Sequence, residues 1–293
     1  MKTFLYWFLA VVITISAAIY QRRTGPTYPK RTEVYVNDVT YKIKLVRSLG
    51  LDERPTVRMA IDDPNASATI YYKRFKTDET YTSAPFTYRV IPIESFIMNR
   101  IFGMDEMKGF FASVPQQPPA GKLQYYVEIT DQSGTKTLFR DNPIVIRFKG
   151  AVPGWALTPH IILMFFAMLL STLAGLMAAG GRESQRKYGL MTFIFLFAGG
   201  MILGPVVQYY AFGEFWTGVP FGWDLTDNKT LVAVVFWLLA VVMNYRRHRP
   251  VYTIIAAVVL LLIYSIPHSM FGSELDFASG EIKQGIIFNY FLR

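Results

Sequence analysis

Residues 155–187 read WALTPHIILMFFAMLLSTLAGLMAAGGRESQRK, an apolar run that ends in a basic loop. The run carries no Asp, Glu, Lys or Arg before Arg182, and the loop then adds Arg186 and Lys187. A helix needs about 20 predominantly apolar residues to cross a bilayer. The stretch therefore predicts a membrane-spanning helix that ends in a basic loop.

A second short loop, YRRHRP, carries Arg246, Arg247 and Arg249. Short loops rich in Lys and Arg stay on the cytoplasmic side of a membrane. This asymmetry predicts a multi-pass protein of a bacterial inner membrane with a cytoplasmic N-terminus, and it puts residues 21–152 and the C-terminus in the periplasm. The loops at the opposite helix ends carry acidic residues instead: Glu214, Asp224, Asp227, Glu274, Asp276 and Glu281.

The apolar run from Phe4 to Tyr20 predicts a further span, either an N-terminal transmembrane anchor over residues 1–20 or a signal peptide. The anchor is favoured because Trp7 and the bulky Ile19 fit a cleavage site poorly. The other predicted spans are about Trp155–Gly180, Tyr188–Phe212, Leu231–Tyr245 and Tyr252–Ile266.

The predicted span that begins at Leu231 is short for a bilayer unless Asp227–Thr230 form its first turn. Thr226 or Asp227 would then cap that helix. The predicted fold class is an integral membrane α-helical protein of five spans with an all-β domain inserted between spans 1 and 2. A four-helix transmembrane domain follows over residues 153–272, and residues 273–293 form an extracytoplasmic tail.

Composition excludes several classes of partner and site. Hydrophobic residues make up 52% of the 293, and the net charge of +9 is not arranged as a basic stripe with interleaved aromatics. No nucleic-acid partner is therefore expected. The absence of cysteine excludes disulfides, thiolate zinc sites and cysteine nucleophiles.

Residues 21–152 contain no spanning run, and their apolar residues alternate with polar ones, as in Leu123, Tyr125, Val127 and Ile129. That alternation predicts β-strands. A hairpin is expected to close over residues 131–134, where Asp and Gly supply the turn chemistry. Several short strands separated by Pro and Gly predict a two-sheet sandwich.

The stretch PQQPPAGKLQYYVEITDQSGTKT, residues 115–137, resembles the late hairpin of fibronectin type III and other immunoglobulin-like domains. The resemblance covers about residues 33–150 and implies an immunoglobulin-like β-sandwich. Domains of this fold mostly bind partners or act as spacers between other domains, rather than catalyse reactions. The interval from Pro92 to Met107 departs from it, because Phe96, Met98, Ile101 and Phe102 have helical spacing. That interval predicts an inserted amphipathic helix that caps the sandwich core or docks on a membrane or partner.

Two histidines are predicted near the outer face, each directly after a proline: His160 in LTPH and His268 in SIPH. The ordinary interpretation is that each bonds to backbone freed by its proline, with no cofactor bound. Alternatively they would ligate haem b or a metal ion, or form a proton-handling or quinone-like site. His248 belongs to the Arg-rich loop and is expected to be solvated or to contact lipid headgroups.

The loop GEFWTGVPFGWDLTDNKT, residues 213–230, has the composition of a folded loop. It predicts a structural loop packed on the helix ends or, alternatively, a ligand or partner pocket shared with the two histidines. The candidate pocket residues are Gln208, Glu214, Trp216, Trp223, Asp224, Asp227 and Lys229.

The sequence contains no Gly-rich nucleotide loop, paired-His zinc motif or Gly-x-Ser-x-Gly elbow. It therefore predicts a non-enzymatic binding or assembly subunit of a bacterial cell-envelope complex, with the bilayer and other membrane or periplasmic subunits as partners. The alternatives are a membrane redox or metal-handling protein that uses the two outer histidines, and a ligand sensor or transport accessory.

Overall fold

A computed structural model describes residues 2–93, 100–101, 105–268, 270 and 272–283. The chain divides into two compact units. A helical unit comprises residues 2–26 and 151–273, and a β unit comprises Thr27–Gly150 together with Glu274–Ile282.

The helical unit contains six α-helices and one π-helix within the described residues. Their bounds are α1 Lys2–Thr24, α2 Gly154–Ala179, α3 Gln185–Leu196, the π-helix Phe197–Leu203, α4 Gly204–Phe212, α5 Leu225–Tyr245 and α6 Pro250–Ser265. In the described part of the chain, four helical runs are long and apolar enough to cross a membrane: Thr3–Thr24, Gly154–Ala179, Gln185–Phe212 and Leu225–Tyr245. The fifth predicted span corresponds to α6, which is apolar but has only 16 residues.

Small residues let these helices approach closely. A methyl group at Gly175 of α2 would lie 2.6 Å from Cβ of Ala257 on α6, so only glycine fits there. Ala10 of α1 is fully buried in a cluster with Leu170 and Leu173 of α2. The first helix is thus packed into the unit.

The outward side chains of the same helices are largely apolar, and many of them are exposed. Lipid tails would cover such a surface, whereas water would not favour it. Examples are Ile161, Phe165, Leu190, Val235, Leu238, Val242, Val258 and Leu262.

The described strands of the β unit form four sheets. Their bounds are β1 Lys30–Val36, β2 Val39–Leu45, β3 Ser48–Gly50, β4 Thr56–Met59, β5 Ser67–Arg74, β6 Thr82–Pro85, β7 Thr87–Pro92, β8 Glu106–Ser113, β9 Lys122–Asp131, β10 Gly134–Leu138, β11 Ile144–Lys149, β12 Glu274–Leu275 and β13 Ile282–Lys283. The largest sheet has the order β3-β11-β9-β5-β6, with β10 also paired to β9. Strands β4-β8-β7, β1-β2 and β12-β13 form the other three.

The period-two pattern decides which side chains enter the core. On β9, Leu123, Tyr125, Val127 and Ile129 are all buried in one apolar cluster, which also includes residues of β1, β2, β4 and β8. The Tyr125 hydroxyl donates to the Val46 carbonyl at 2.9 Å. Packed sheets with a shared core match the predicted β domain, and its likeness to fibronectin type III stays a prediction.

The β9–β10 hairpin closes where the sequence predicts it, with Asp131 paired to Gly134. Gly134 has φ +116°, a conformation that favours glycine. The Asp131 carboxylate accepts from Lys136 Nζ at 2.8 Å and from the Ser133 amide at 2.8 Å. These bonds, led by the one from Lys136, hold the pKa of Asp131 well below its usual range.

The helix predicted between Pro92 and Met107 needs a correction at its ends. Both ends belong to paired strands, with Pro92 opposite Glu106 and Ile91 opposite Met107. Between them Arg100 and Ile101 are helical. The other predicted apolar positions, Phe96, Met98 and Phe102, lie outside the described residues.

Residues Glu274–Ile282 belong to the β unit, where partly buried ion pairs hold them. The Glu274 carboxylate lies 2.6 Å from Lys122 Nζ and 2.8 Å from Lys76 Nζ. The Leu275 amide donates to the Ala120 carbonyl at 3.1 Å. Burial alone would raise the pKa of Glu274, but the two lysine contacts outweigh it and lower that pKa.

This pairing predicts an acid-sensitive attachment of residues 274–282. A carboxyl whose pKa is lowered by folding stabilises the fold above its unfolded pKa, about 4.3, and loses that contribution as the pH falls through the folded value. Hydrogen exchange at the Leu275 amide, taken relative to the intrinsic rate at each pH, should therefore become faster below about pH 4. Glu274→Gln should exchange fast already at pH 7, whereas Glu281→Gln on the same segment should behave as wild type. Equal exchange in all three proteins would contradict the prediction.

Candidate functional site

The π-helix positions His160, the first of the two candidate histidines. His160 Nδ1 lies 2.8 Å from the carbonyl oxygen of Gly199, which belongs to the π-helix. A carbonyl oxygen only accepts, so Nδ1 carries the proton of this bond. His160 is therefore bonded to backbone, as the ordinary interpretation expects, but to the carbonyl of a neighbouring helix that a π-turn presents.

The second histidine, His268, lies beside Lys229, and both His160 and Lys229 interact with it electrostatically. The Lys229 ammonium is buried and donates to the Ile266 carbonyl at 3.0 Å. Lys229, His268, Gln21 and Tyr264 line a cavity of about 20 Å³. Apolar side chains such as Met164 and Leu196 form the rest of its wall, and its volume is that of about one water molecule.

The loop over residues 213–230 is folded onto the start of α5 by a buried carboxylate. Asp227 accepts from the Thr217 amide at 2.6 Å and from its hydroxyl at 3.0 Å. Gln208 Nε2 in turn donates to the Thr217 hydroxyl at 2.7 Å. These hydrogen bonds thus join α4, the loop and α5.

A second contact closes the tip of the same loop. Asn228 Oδ1 accepts from the Val219 amide at 2.8 Å, and Trp216 Nε1 donates to the Val219 carbonyl at 3.1 Å. A Cβ at Gly218 would lie 2.8 Å from Cβ of Asp227, so the backbone passes too close for any side chain. These contacts match the structural-loop interpretation.

The cap of α5 differs from the prediction. Asp224, and neither Thr226 nor Asp227, is the N-cap, and its side chain accepts from the amides of both those residues. α5 therefore begins at Leu225, earlier than the sequence predicts. The added turns give the helix 21 residues, enough to cross a bilayer.

The predicted pocket residues therefore separate into groups. Gln208 and Asp227 are both hydrogen-bonded to Thr217, whereas Lys229 donates to the Ile266 carbonyl. Glu214 and Trp223 are exposed. Thr217 is the residue that sequence reasoning missed, and only its position between Trp216 and Gly218 in the unusual loop could have indicated it.

The Arg-rich end of the helical unit holds a polar network that the sequence did not predict. Gln185 Nε2 donates to Asn244 Oδ1 at 2.9 Å, and the Thr253 hydroxyl donates to Gln185 Oε1 at 2.5 Å. Asn244 Oδ1 also accepts from the Arg249 amide at 3.0 Å. All three side chains of the network, which we call the Gln185–Asn244–Thr253 network, are buried. It links α3, α5 and α6.

Beside this network lies a cleft of about 450 Å³. Its volume is within the range of about 300–1,000 Å³ typical of small-molecule sites. Apolar side chains form much of its wall, and two cations lie along it. The lining residues are Gln185, Arg186, Lys187, Gly189, Leu190, Trp237, Ala240, Val241, Asn244, Tyr245 and Thr253. We call this the Trp237 cleft.

A group of tyrosines lies on the sheet face opposite the core, where Tyr71 and Tyr81 are half-buried and Tyr126 is buried. The rings of Tyr71 and Tyr126 are stacked at 4.7 Å, and Tyr81 meets Tyr126 edge-on at 5.0 Å. Arg140 lies over the Tyr126 ring and Lys73 over the Tyr81 ring. We call these five residues the tyrosine face.

Within the described residues there is no group of three or more His, Asp or Glu that could hold a metal ion. The haem b or metal alternative for His160 and His268 stays a prediction. No protein-family model matches the chain. No curated protein sequence matches it either.

Proposed function

We propose that the chain is a multi-pass protein of a bacterial inner membrane whose exported, immunoglobulin-like β unit binds another protein subunit of the cell envelope. In this proposal the Arg-rich loops face the cytoplasm, and the β unit and the loop over residues 213–230 face the periplasm. The helical unit serves as the membrane base.

The tyrosine face is the observation that carries the proposal. Tyr71 and Tyr81 keep part of their rings on the surface beside the buried Tyr126 ring, and aromatic residues and Arg are enriched at protein–protein contacts. Their rings offer a large contact area with few rotatable bonds, and a hydroxyl that can bond to a partner. Stacking already holds Tyr71 against Tyr126, so little conformational entropy would be lost on binding.

The charged and polar groups around the rings favour a protein partner over a purely apolar ligand. The Tyr71 hydroxyl bonds to Glu128, and Gln124 Nε2 donates to the Tyr81 hydroxyl at 2.6 Å. The rings thus lie among both cationic and anionic side chains, as in the mixed surfaces of protein interfaces.

Site-specific photo-crosslinking in living cells tests the proposal. The full chain would carry a benzophenone amino acid in place of Tyr81 or, as a matched control, in place of Tyr35, a half-exposed tyrosine on β1. We expect one discrete adduct from position 81, none from position 35, and loss of the adduct when Tyr71→Ala, a change at a partly exposed ring of the same face, is added. An equal adduct from both positions, or none from position 81, would contradict the proposal.

A further inference from the structure

Two residues that line the Trp237 cleft each carry a buried nitrogen with no hydrogen-bond partner among the described residues. Trp237 is 0% exposed, and its Nε1 has no acceptor within the described part of the chain. The buried Nε of Arg186, also on the cleft wall, likewise has none among those residues. Both nitrogens are inaccessible to water, so the groups that can meet a ligand in the cleft are the charged ends of Arg186 and Lys187 and the apolar wall.

The charges of the cleft point to an anion. Arg186 and Lys187 both line it, and in the described part of the chain neither is part of an ion pair. A guanidinium binds phosphate oxygens through paired hydrogen bonds. The polar atoms of the adjacent Gln185–Asn244–Thr253 network are engaged with one another, so they form a fixed floor.

The remaining wall indicates that the anion carries an apolar chain. Leu190 and Tyr245 line the cleft and are exposed on the surface of the helical unit. That surface is otherwise apolar and suited to lipid tails. Trp237 and Val241 continue the apolar wall inward. A free phosphate would leave this surface uncovered, whereas an acyl chain would lie along it.

We propose that the Trp237 cleft binds an anionic phospholipid, with the phosphate at Arg186 and Lys187 and an acyl chain along Leu190 and Val241. This site lies in the helical unit and does not depend on the tyrosine face. Either proposal can therefore fail without the other.

Native mass spectrometry of the full chain, delipidated in mild detergent, tests the proposal. Phosphatidylglycerol and phosphatidylcholine would be titrated separately. We expect one phosphatidylglycerol to bind at least tenfold more tightly than phosphatidylcholine. Inorganic phosphate at the same concentration should not displace it. Equal affinity for the two lipids, or displacement by phosphate, would overturn the proposal.

Variants of one loop separate a specific site from general attraction to a basic surface. The Arg186→Gln/Lys187→Gln double variant should lose at least tenfold in affinity for phosphatidylglycerol. Arg182→Gln removes an exposed charge from the same loop but not from the cleft, so it should change the affinity less than twofold. Equal losses in both would overturn the proposal.

A second variant covers the case in which the double variant does not fold. Lys187→Gln alone changes only an exposed side chain of the cleft, and it should weaken phosphatidylglycerol binding about fivefold, as expected for one charge-assisted hydrogen bond. Thermal unfolding without lipid should change little, because Lys187 is exposed and is in no ion pair among the described residues. An unchanged lipid affinity in Lys187→Gln would count against the site.

Discussion

Asn244→Leu is expected to lower the free energy of unfolding of the helical unit by about 3 kcal/mol. Asn244 accepts from Gln185 and from the Arg249 amide, and it donates to the Ala240 carbonyl and to the Thr253 hydroxyl. Leucine has a similar size but leaves these buried groups unpaired. Each unpaired donor or acceptor costs about 1–3 kcal/mol. The melting temperature in detergent should fall by roughly 10 °C.

Two further variants show whether hydrogen bonding is the cause. Tyr245→Leu changes the neighbouring, 80% exposed residue and should shift the melting temperature by less than about 2 °C. Replacing the network as a whole, by Gln185→Leu, Asn244→Leu and Thr253→Val together, should recover part of the loss. Removing all partners at once leaves fewer unpaired groups. A triple variant far less stable than Asn244→Leu would contradict this explanation.

The fold could be predicted where one short pattern decides it. Apolar runs indicated the helices that could cross a membrane, and alternation on β9 separated Leu123 and Tyr125 from Tyr126. The turn at residues 131–134 needed only its local Asp and Gly. These features depend on periodicity and backbone conformation, which neighbouring residues determine.

The cap of α5 shows the limit of local patterns. The segment DLTDN, residues 224–228, offers several residues that can cap a helix. Only the folded loop decides between them, because Asp227 is used to bind Thr217 and Asp224 remains for the cap. The π-helix that presents the Gly199 carbonyl to His160 was similarly not visible from Gly199 and Gly200 alone.

The polar residues of the Arg-rich end could not be predicted because they lie far apart in the chain. Gln185 bonds to Asn244 across 59 residues and to Thr253 across 68. Gln185, Asn244 and Thr253 are each a single polar residue at the edge of an apolar run. The nearby arginines indicated only how the protein is oriented in the membrane. Trp237 lies inside such a run, and the sequence does not distinguish it from any other core aromatic residue. Only the structure shows that its Nε1 has no hydrogen-bond partner among the described residues.

The second large effect is expected from cysteine labelling of intact cells, because the chain has no cysteine and every introduced thiol is unique. Phe221 and Tyr245 are matched positions, 81% and 80% exposed, close to the two ends of α5. A 21-residue helix is about 32 Å long, roughly the thickness of the hydrocarbon core. An impermeant maleimide added from the periplasmic side should label Phe221→Cys fully and Tyr245→Cys not at all until the cells are lysed.

Tyr35→Cys in β1 addresses the one feature that opposes the proposed orientation. Arg22 and Arg23 follow the first span directly, and positive charges there favour retention in the cytoplasm. Long domains cross membranes largely regardless of such charges, so the arginines of the two short loops should decide. Tyr35→Cys should then label from the periplasm together with Phe221→Cys. If positions 35 and 221 are labelled from opposite sides, the β unit is not exported with the loop over residues 213–230, and the tyrosine face cannot meet a periplasmic subunit.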